Sequence, residues 1–180
     1  GGIGTASFTV NGITVGALVA CNALGDVYNP YTGELLAGAR STDGSQLLDA
    51  RSALLAGTEP YSVLAGSNTT IGIIATDAML TKAQASRMAE MRRALDAHRL
   101  ATVGHDGLAR AINPVHTMSD GDTLFALGTG ASGQRLSMMA LATMAADAVA
   151  LATARAILLA RSVAVADEPR LPAWQDLNNN

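Results

Sequence analysis

Two runs rich in β-branched residues, Ala6 to Val10 and Thr14 to Ala20, are separated by Asn11-Gly12. Asn-Gly is the preferred dipeptide of a two-residue hairpin turn, so the pattern predicts a β-hairpin, with Asn22 where its second strand ends. From Gly25 to Ser67 the patterning breaks down. Asn29-Pro30, Thr32-Gly33, Asp43-Gly44 and Glu59-Pro60 are turn signals there, and the stretch reads as a long surface excursion leading to Asn68. Short apolar runs at Ile71 to Ala75 and Thr123 to Leu127 predict two buried strands. Between them, Thr81-Lys82-Ala83-Gln84 has the spacing of a capping box. The helix it opens places Gln84, Met88, Met91 and Leu95 on one face and runs to about His98. Gly107 to Ile112 predicts another short helix that stops before Pro114. After a glycine-rich break at Gly128 to Gly133 comes a long final helix. Pro169 and Pro172 then end regular structure ahead of a loose Asn178-Asn179-Asn180 tail. The order of hairpin, loop, strand, helix, strand and helix implies an α/β or α+β layered fold.

Composition sharpens this picture. The 180 residues are 49% hydrophobic and 15% charged, which suits one domain with a real core and argues against disorder. Alanine and glycine dominate the apolar share while aromatics make up 3%, which favours close helix–sheet contact over a large cavity. The segment Leu136 to Ala160 is apolar enough to suggest a membrane span, but Asp147 and Arg155 interrupt it, and a buried alanine-rich helix fits better. A net charge of -3 with scattered basic residues gives no nucleic-acid footprint. The single cysteine, Cys21, rules out an intramolecular disulfide. It closes the apolar run Ile13 to Ala20 and reads as a buried structural residue rather than a nucleophile.

Three places could carry chemistry. The first is Gly66-Ser67-Asn68-Thr69-Thr70-Ile71-Gly72, where a hydroxyl residue stands between a loop and a strand. If Thr69 attacked the carbonyl of Asn68, an acyl shift and ester hydrolysis would free its α-amine. Such an amine titrates at roughly 7.7–8.0 and can act as base for its own hydroxyl. The same residues also read as a plain polar turn, and Asn68-Thr69-Thr70 fits a glycosylation pattern. The second place is Asp120-Gly121-Asp122, whose carboxylates fall just before a strand, with His116 as the only nearby nitrogen donor. A turn built on Asp-Gly is the alternative, the ligand set is thin for a metal, and His116 alone reads as a structural hydrogen-bonding residue. The third is Asn22, whose amide could donate to an oxyanion or simply terminate a strand.

Taken together these segments are more specific. Gly1-Gly2-Ile3-Gly4-Thr5-Ala6-Ser7, Val15 to Val19 with Asn22, Asn68 to Gly72 and Ala75-Thr76-Asp77-Ala78 resemble the L-aminopeptidase/D-esterase (β-peptidyl aminopeptidase) family. His105 to Ile112 and Pro114 to Leu127 extend the resemblance over nearly the whole chain. It implies a self-cleaving N-terminal-nucleophile hydrolase with a four-layer α-β-β-α fold. The scissile bond would be Asn68-Thr69, with Thr69 the nucleophile, Asn22 the oxyanion donor, and Asp120 and Asp122 positioning the nucleophile and its new amine. One branch of the family has Ser-Gly-Glu where this chain has Asp120-Gly121-Asp122. Together with Thr69, that makes the chain look more like the 6-aminohexanoate-oligomer (nylon-oligomer) hydrolases.

Family members carry a substantial segment ahead of the Gly1-Gly2 position. Residues 1–180 are therefore expected to be the C-terminal part of one domain, with 1–68 ending an α-subunit and 69–180 forming a β-subunit after self-cleavage. The implied partners are a small peptide or amide substrate, the upstream segment or chain, and further α/β heterodimers in an oligomer. No cofactor, metal, nucleic acid or membrane is implied. A cytoplasmic location is expected, although a sequence opening Gly1-Gly2 leaves targeting unread. Two rival readings stand beside this one: an acyltransferase similar to the ornithine acetyltransferases, and a non-catalytic binding domain with Asn68-Thr69 uncut.

Overall fold

The computed structural model describes residues 1–41, 46–58, 68–80, 87–163 and 172–178. The Asn-Gly pair does turn a hairpin. β1 (Gly2–Val10) and β2 (Ile13–Cys21) pair antiparallel from Gly2 opposite Cys21 to Val10 opposite Ile13. Asn11 and Gly12 adopt φ of 51° and 74°, the positive values that this dipeptide accepts.

The stretch after Gly25 is more ordered than its turn signals suggest. β3 (Asp26–Tyr28) and β4 (Leu35–Ala37) pair antiparallel, and a short helix α1 (Ala50–Leu55) follows, capped by the Asp49 side chain on Ser52 N. Asp26 organises the stretch. It is fully buried, and its carboxylate accepts from Ala39 N at 3.2 Å and Ala50 N at 2.6 Å. Burial pushes its carboxyl up from the ordinary range while these two N–H groups pull it back. Three-residue strands tied together by one buried carboxylate leave no periodic trace in a sequence. Asp43-Gly44 and Glu59-Pro60 lie outside the described residues.

β5 (Ile71–Thr76) adds to β2 antiparallel, with Ile71 opposite Ala20 and Thr76 opposite Val15. The chain then crosses over through α2 (Arg87–Ala111). After a two-residue strand β6 (Ile112–Asn113), which joins β3, it enters β7 (Thr123–Gly128). β7 lies parallel to β5, so the main sheet has the order β1-β2-β5-β7 and the small one β4-β3-β6. α3 (Met138–Leu158) starts at Ser137, whose Oγ accepts from Ala140 N, and α4 (Trp174–Asn178) follows Pro172. Pro172 thus interrupts regular structure without ending it, and Asn178 closes α4, while Pro169, Asn179 and Asn180 lie outside the described residues.

Two helices were expected between the strands, but α2 is continuous through Gly104 and Gly107. A Cβ on Gly107 would run into the carbonyl oxygen of Ala146 and lie 2.8 Å from Val149 Cβ, and one on Gly104 would crowd Ile74 and Leu124. These glycines let α2 press onto α3 and the sheet, and that packing outweighs the roughly 1 kcal/mol helix penalty of each. The capping box at Thr81 to Gln84 lies outside the described residues, and Leu95 is exposed rather than core-facing.

α3 is the core helix. Leu141, Met144, Ala145, Ala148, Val149 and Ala152 are buried on it, as its alanine-rich composition predicts. It is also long and apolar enough to cross a membrane, and two thirds of that apolar stretch is buried inside the protein, as in a core helix.

Among the described residues, helices cover one face of the main sheet. β5 and β7 therefore alternate rather than being buried on both sides. Ile74 and Leu124 face the helices, while Leu18, Ile71, Ile73 and Phe125 are exposed on the other face. The contact of α3 with β1 runs over Gly4, where a Cβ would overlap the backbone of Ala152 and Ala156. Gly4→Ala is therefore expected to cost about 1–3 kcal/mol, read as a lower urea midpoint at unchanged m. At Gly16 an added Cβ meets nothing closer than 3.7 Å, so Gly16→Ala should leave the midpoint unchanged or raise it.

Candidate active site

Strand directions bring the expected residues to one edge. Because β5 and β7 run parallel, the segments preceding them, Asn68-Thr69 and Asp120-Gly121-Asp122, lie side by side, and Asn68 forms a bridge with Asp120. β2 runs the other way, so its C-terminal end delivers Asn22 to the same place.

The backbone fixes the corner. Thr69 N donates to Asn22 O at 3.0 Å, Gly121 N donates to Asn68 O at 3.2 Å, and Thr123 N donates to Thr70 O at 2.9 Å. The Asn68 carbonyl therefore has a backbone donor from the facing strand mouth. Thr69 Oγ1 donates to that same oxygen at 2.7 Å, which puts the hydroxyl beside the carbonyl it would attack. Gly121 has room for nothing larger, since a Cβ there would stand 2.8 Å from Thr69 Oγ1.

The two carboxylates have different settings. Asp122 has a side chain only 4% exposed. Its Oδ1 accepts from Thr70 N at 2.9 Å, and its Oδ2 lies 3.4 Å from His116 Nδ1. Asp120 Oδ2 accepts from Thr117 N at 3.2 Å and from Thr117 Oγ1 at 2.9 Å. Its other oxygen is buried with no hydrogen-bond partner, as is Thr70 Oγ1. An unmet buried polar atom costs about 1–3 kcal/mol, and such atoms mark places where a ligand or a rearranged group belongs. Thr117, Gly121 and Thr70 thus join the five residues the sequence singled out. Their contributions pass mainly through backbone atoms, which side-chain motifs do not advertise.

Asn22 is exposed and, with Asn68, Leu24, Gly25, Val27 and Ala37, lines a cleft of about 320 Å³. This is the low end of the volume of small-molecule sites. Among the described residues, no three His, Cys, Asp or Glu side chains cluster as metal ligands would. Cys21 sits just behind the corner. Burial pushes its thiol up, outweighing the Ala23 backbone, which pulls it down.

Comparison with known proteins gives the family. Residues 1–170 match the model of peptidase family S58. The chain belongs to that family. An uncharacterized aminopeptidase of Mycobacterium tuberculosis is 36% identical over 201 aligned positions, which cover 98% of this chain and 52% of the relative. Another from Mycobacterium leprae is 44% identical over 133 positions, covering 73% of this chain and 33% of that protein. This S58 chain therefore spans about half the length, or less, of the curated relatives it matches.

Among solved structures, the L-aminopeptidase D-Ala-esterase/amidase of Ochrobactrum anthropi superposes with a TM-score of 0.55 at 21% identity, covering 93% of this chain and 42% of that one. It is described as a prototype of the serine aminopeptidases and a variant of the N-terminal-nucleophile hydrolase fold. A Pyrococcus horikoshii protein superposes with a TM-score of 0.57 at 24% identity, covering 98% of this chain and 46% of that one. At such identities the likeness concerns the fold. It agrees with the expected mixed α/β sandwich, of which this S58 chain supplies one helix-covered sheet.

Because burial raises the Cys21 thiol, a thiol reagent at pH 8 is expected to label it at least about tenfold more slowly in the folded protein than in urea. Equal rates in the two states would contradict the buried, structural reading.

Proposed function

We propose that this S58 chain carries the nucleophile of a self-processed N-terminal-threonine amide hydrolase, an aminopeptidase or amide-oligomer hydrolase acting on peptides or peptide-like amides. The observation that carries the reading is the contact of Thr69 Oγ1 with the Asn68 carbonyl, whose oxygen also receives the Gly121 N–H.

In self-processing, Thr69 Oγ attacks the carbonyl carbon of Asn68 and the hydroxyl proton passes to the amide nitrogen. The C–N bond breaks, leaving an ester between Asn68 and the Thr69 side chain. Water hydrolyses that ester, giving the Asn68 carboxylate, a free Thr69 hydroxyl and a free α-amine. In turnover the same hydroxyl attacks a substrate carbonyl while its proton moves to the α-amine and on to the leaving amine. Water then releases the acyl group. The Gly121 N–H and the Asn22 amide meet the developing oxyanion. Asp122 holds the Thr70 backbone and so aims Thr69, and the unpaired Asp120 oxygen receives the new ammonium group. Residues 1–68 and 69–180 then become the end of an α-subunit and a β-subunit. In the four-layer arrangement, the exposed face bearing Leu18, Ile73 and Phe125 meets the second sheet.

Asp120-Gly121-Asp122 with Thr69 supports the branch that resembles nylon-oligomer hydrolases, and the cleft beside Asn22 suits a small acyl group. Intact-mass analysis of the natural full-length gene product tests the chemistry. The parent is expected to yield two chains cut between Asn68 and Thr69, and Thr69→Ala a single uncut chain. The same single mass for both proteins would falsify self-processing. Asp122→Asn is expected to lower kcat by about 10–100-fold on an aminoacyl p-nitroanilide or a 6-aminohexanoate oligomer. Whichever of these two the parent turns over faster assigns the branch.

A further inference from the structure

His116 is not among the residues assigned a role above, yet its setting is unusual. Its φ is 56°, and Asn11 in the hairpin turn is the other described non-glycine residue with positive φ. That conformation costs an L-residue roughly 1–2 kcal/mol unless its surroundings hold it. The imidazole also has a defined neighbour on each side. Nδ1 lies 3.4 Å from Asp122 Oδ2. On the other side, the ring of His105, from α2, has its centroid 4.9 Å away at a tilt of 58°. Burial first, and then the neighbouring His116, hold the His105 imidazole below the ordinary histidine range, with Asp122 and Asp106 pulling the other way. His105 is therefore neutral at neutral pH and presents an uncharged ring to His116.

The chain of contacts continues inward. The other oxygen of Asp122 takes the Thr70 N–H at 2.9 Å, and Thr70 is bonded directly to Thr69. Among the described residues, these two groups face the oxygens of this nearly buried carboxylate. Nδ1 stands 3.4 Å from Oδ2 while Oδ1 takes the Thr70 N–H, so a rotation of the carboxylate would disturb both contacts at once. The imidazole is itself 41% exposed, too open to be a packing residue of the core.

We propose that His116 is a positioning residue that steadies the Asp122 carboxylate through the contact of Nδ1 with Oδ2, and through Asp122 and Thr70 N aims the Thr69 hydroxyl. The proposal rests on Thr69 being the nucleophile. It assigns a step to the imidazole itself, whereas a purely structural role would need only a residue that tolerates positive φ at this point of the loop. Glycine and asparagine separate the two. Both accept the backbone conformation, but asparagine alone places an N–H donor near the position of Nδ1.

The test uses the natural full-length gene product and its His116→Gly, His116→Asn and Thr69→Ala variants. Self-cleavage is followed by intact mass and turnover on an aminoacyl p-nitroanilide, with circular-dichroism melting to confirm folding. His116→Gly is expected to slow self-cleavage and lower kcat by about tenfold or more while KM stays within about twofold, since aim is lost and binding is not. His116→Asn is expected to recover kcat to within about threefold of the parent. Parental kcat in a folded His116→Gly protein would overturn the proposal, and so would equal losses in the glycine and asparagine variants. Should His116→Gly not fold, the asparagine variant decides alone: near-parental kcat supports the donor role and a tenfold loss overturns it. Thr69→Ala keeps the two readings apart. Its inactivity upholds the nucleophile whatever His116 does, and its full activity removes the nucleophile reading together with this one.

Discussion

Parallel pairing of β5 with β7 is the constraint on which the candidate site depends. Parallel neighbours start at the same edge of a sheet, so residues just ahead of the two strands become neighbours although about fifty positions separate them in the chain. A parallel pair needs a crossover, and α2 supplies it. The crossover in turn needs a surface to lie on, which α3 and the inner face of the sheet provide. Glycines at the crossing points, Gly107 against Ala146 and Gly4 against Ala152, bring helix and sheet backbones close enough for an alanine-rich core to fill the space. A fold with few aromatic residues gains its packing from such approaches rather than from large side chains.

The electrostatics of the corner follow from that geometry. Asp122 is nearly buried, with Oδ1 accepting from Thr70 N and Oδ2 lying 3.4 Å from His116 Nδ1. Asp120 is held on one oxygen by Thr117, while the other is buried and unmet. In the proposed reaction, the ammonium group formed at Thr69 is what would meet it.

The hairpin was readable because Asn11-Gly12 sets a turn whose geometry depends on two residues alone, and the long helix because Leu136 to Ala160 is apolar almost throughout. The small sheet around Asp26 was not readable. Its strands are two or three residues long, and their stability comes from a carboxylate bonded to backbone N–H groups 13 and 24 positions away. The continuity of α2 through Gly104 and Gly107 was likewise hidden. Glycine reads locally as a helix breaker, and only contact with α3 and the sheet gives its missing side chain a purpose. The half-open character of β5 and β7 depends on which face the helices cover, and a run such as Ile71 to Ala75 is silent on that.

For the site, the sequence by itself determined which side chains carry hydroxyl, amide and carboxylate chemistry. Through motif resemblance it also determined the family. These are properties of short segments, and a short segment keeps its chemistry wherever the fold places it. The tertiary structure alone decided that Thr69, Asn22, Asp120 and Asp122 share one corner. It decided too that the Gly121 N–H touches the Asn68 carbonyl and that His116 stands beside Asp122. Those are relations between segments far apart in the chain, set by strand direction and helix packing, and no local pattern encodes a distance across a sheet.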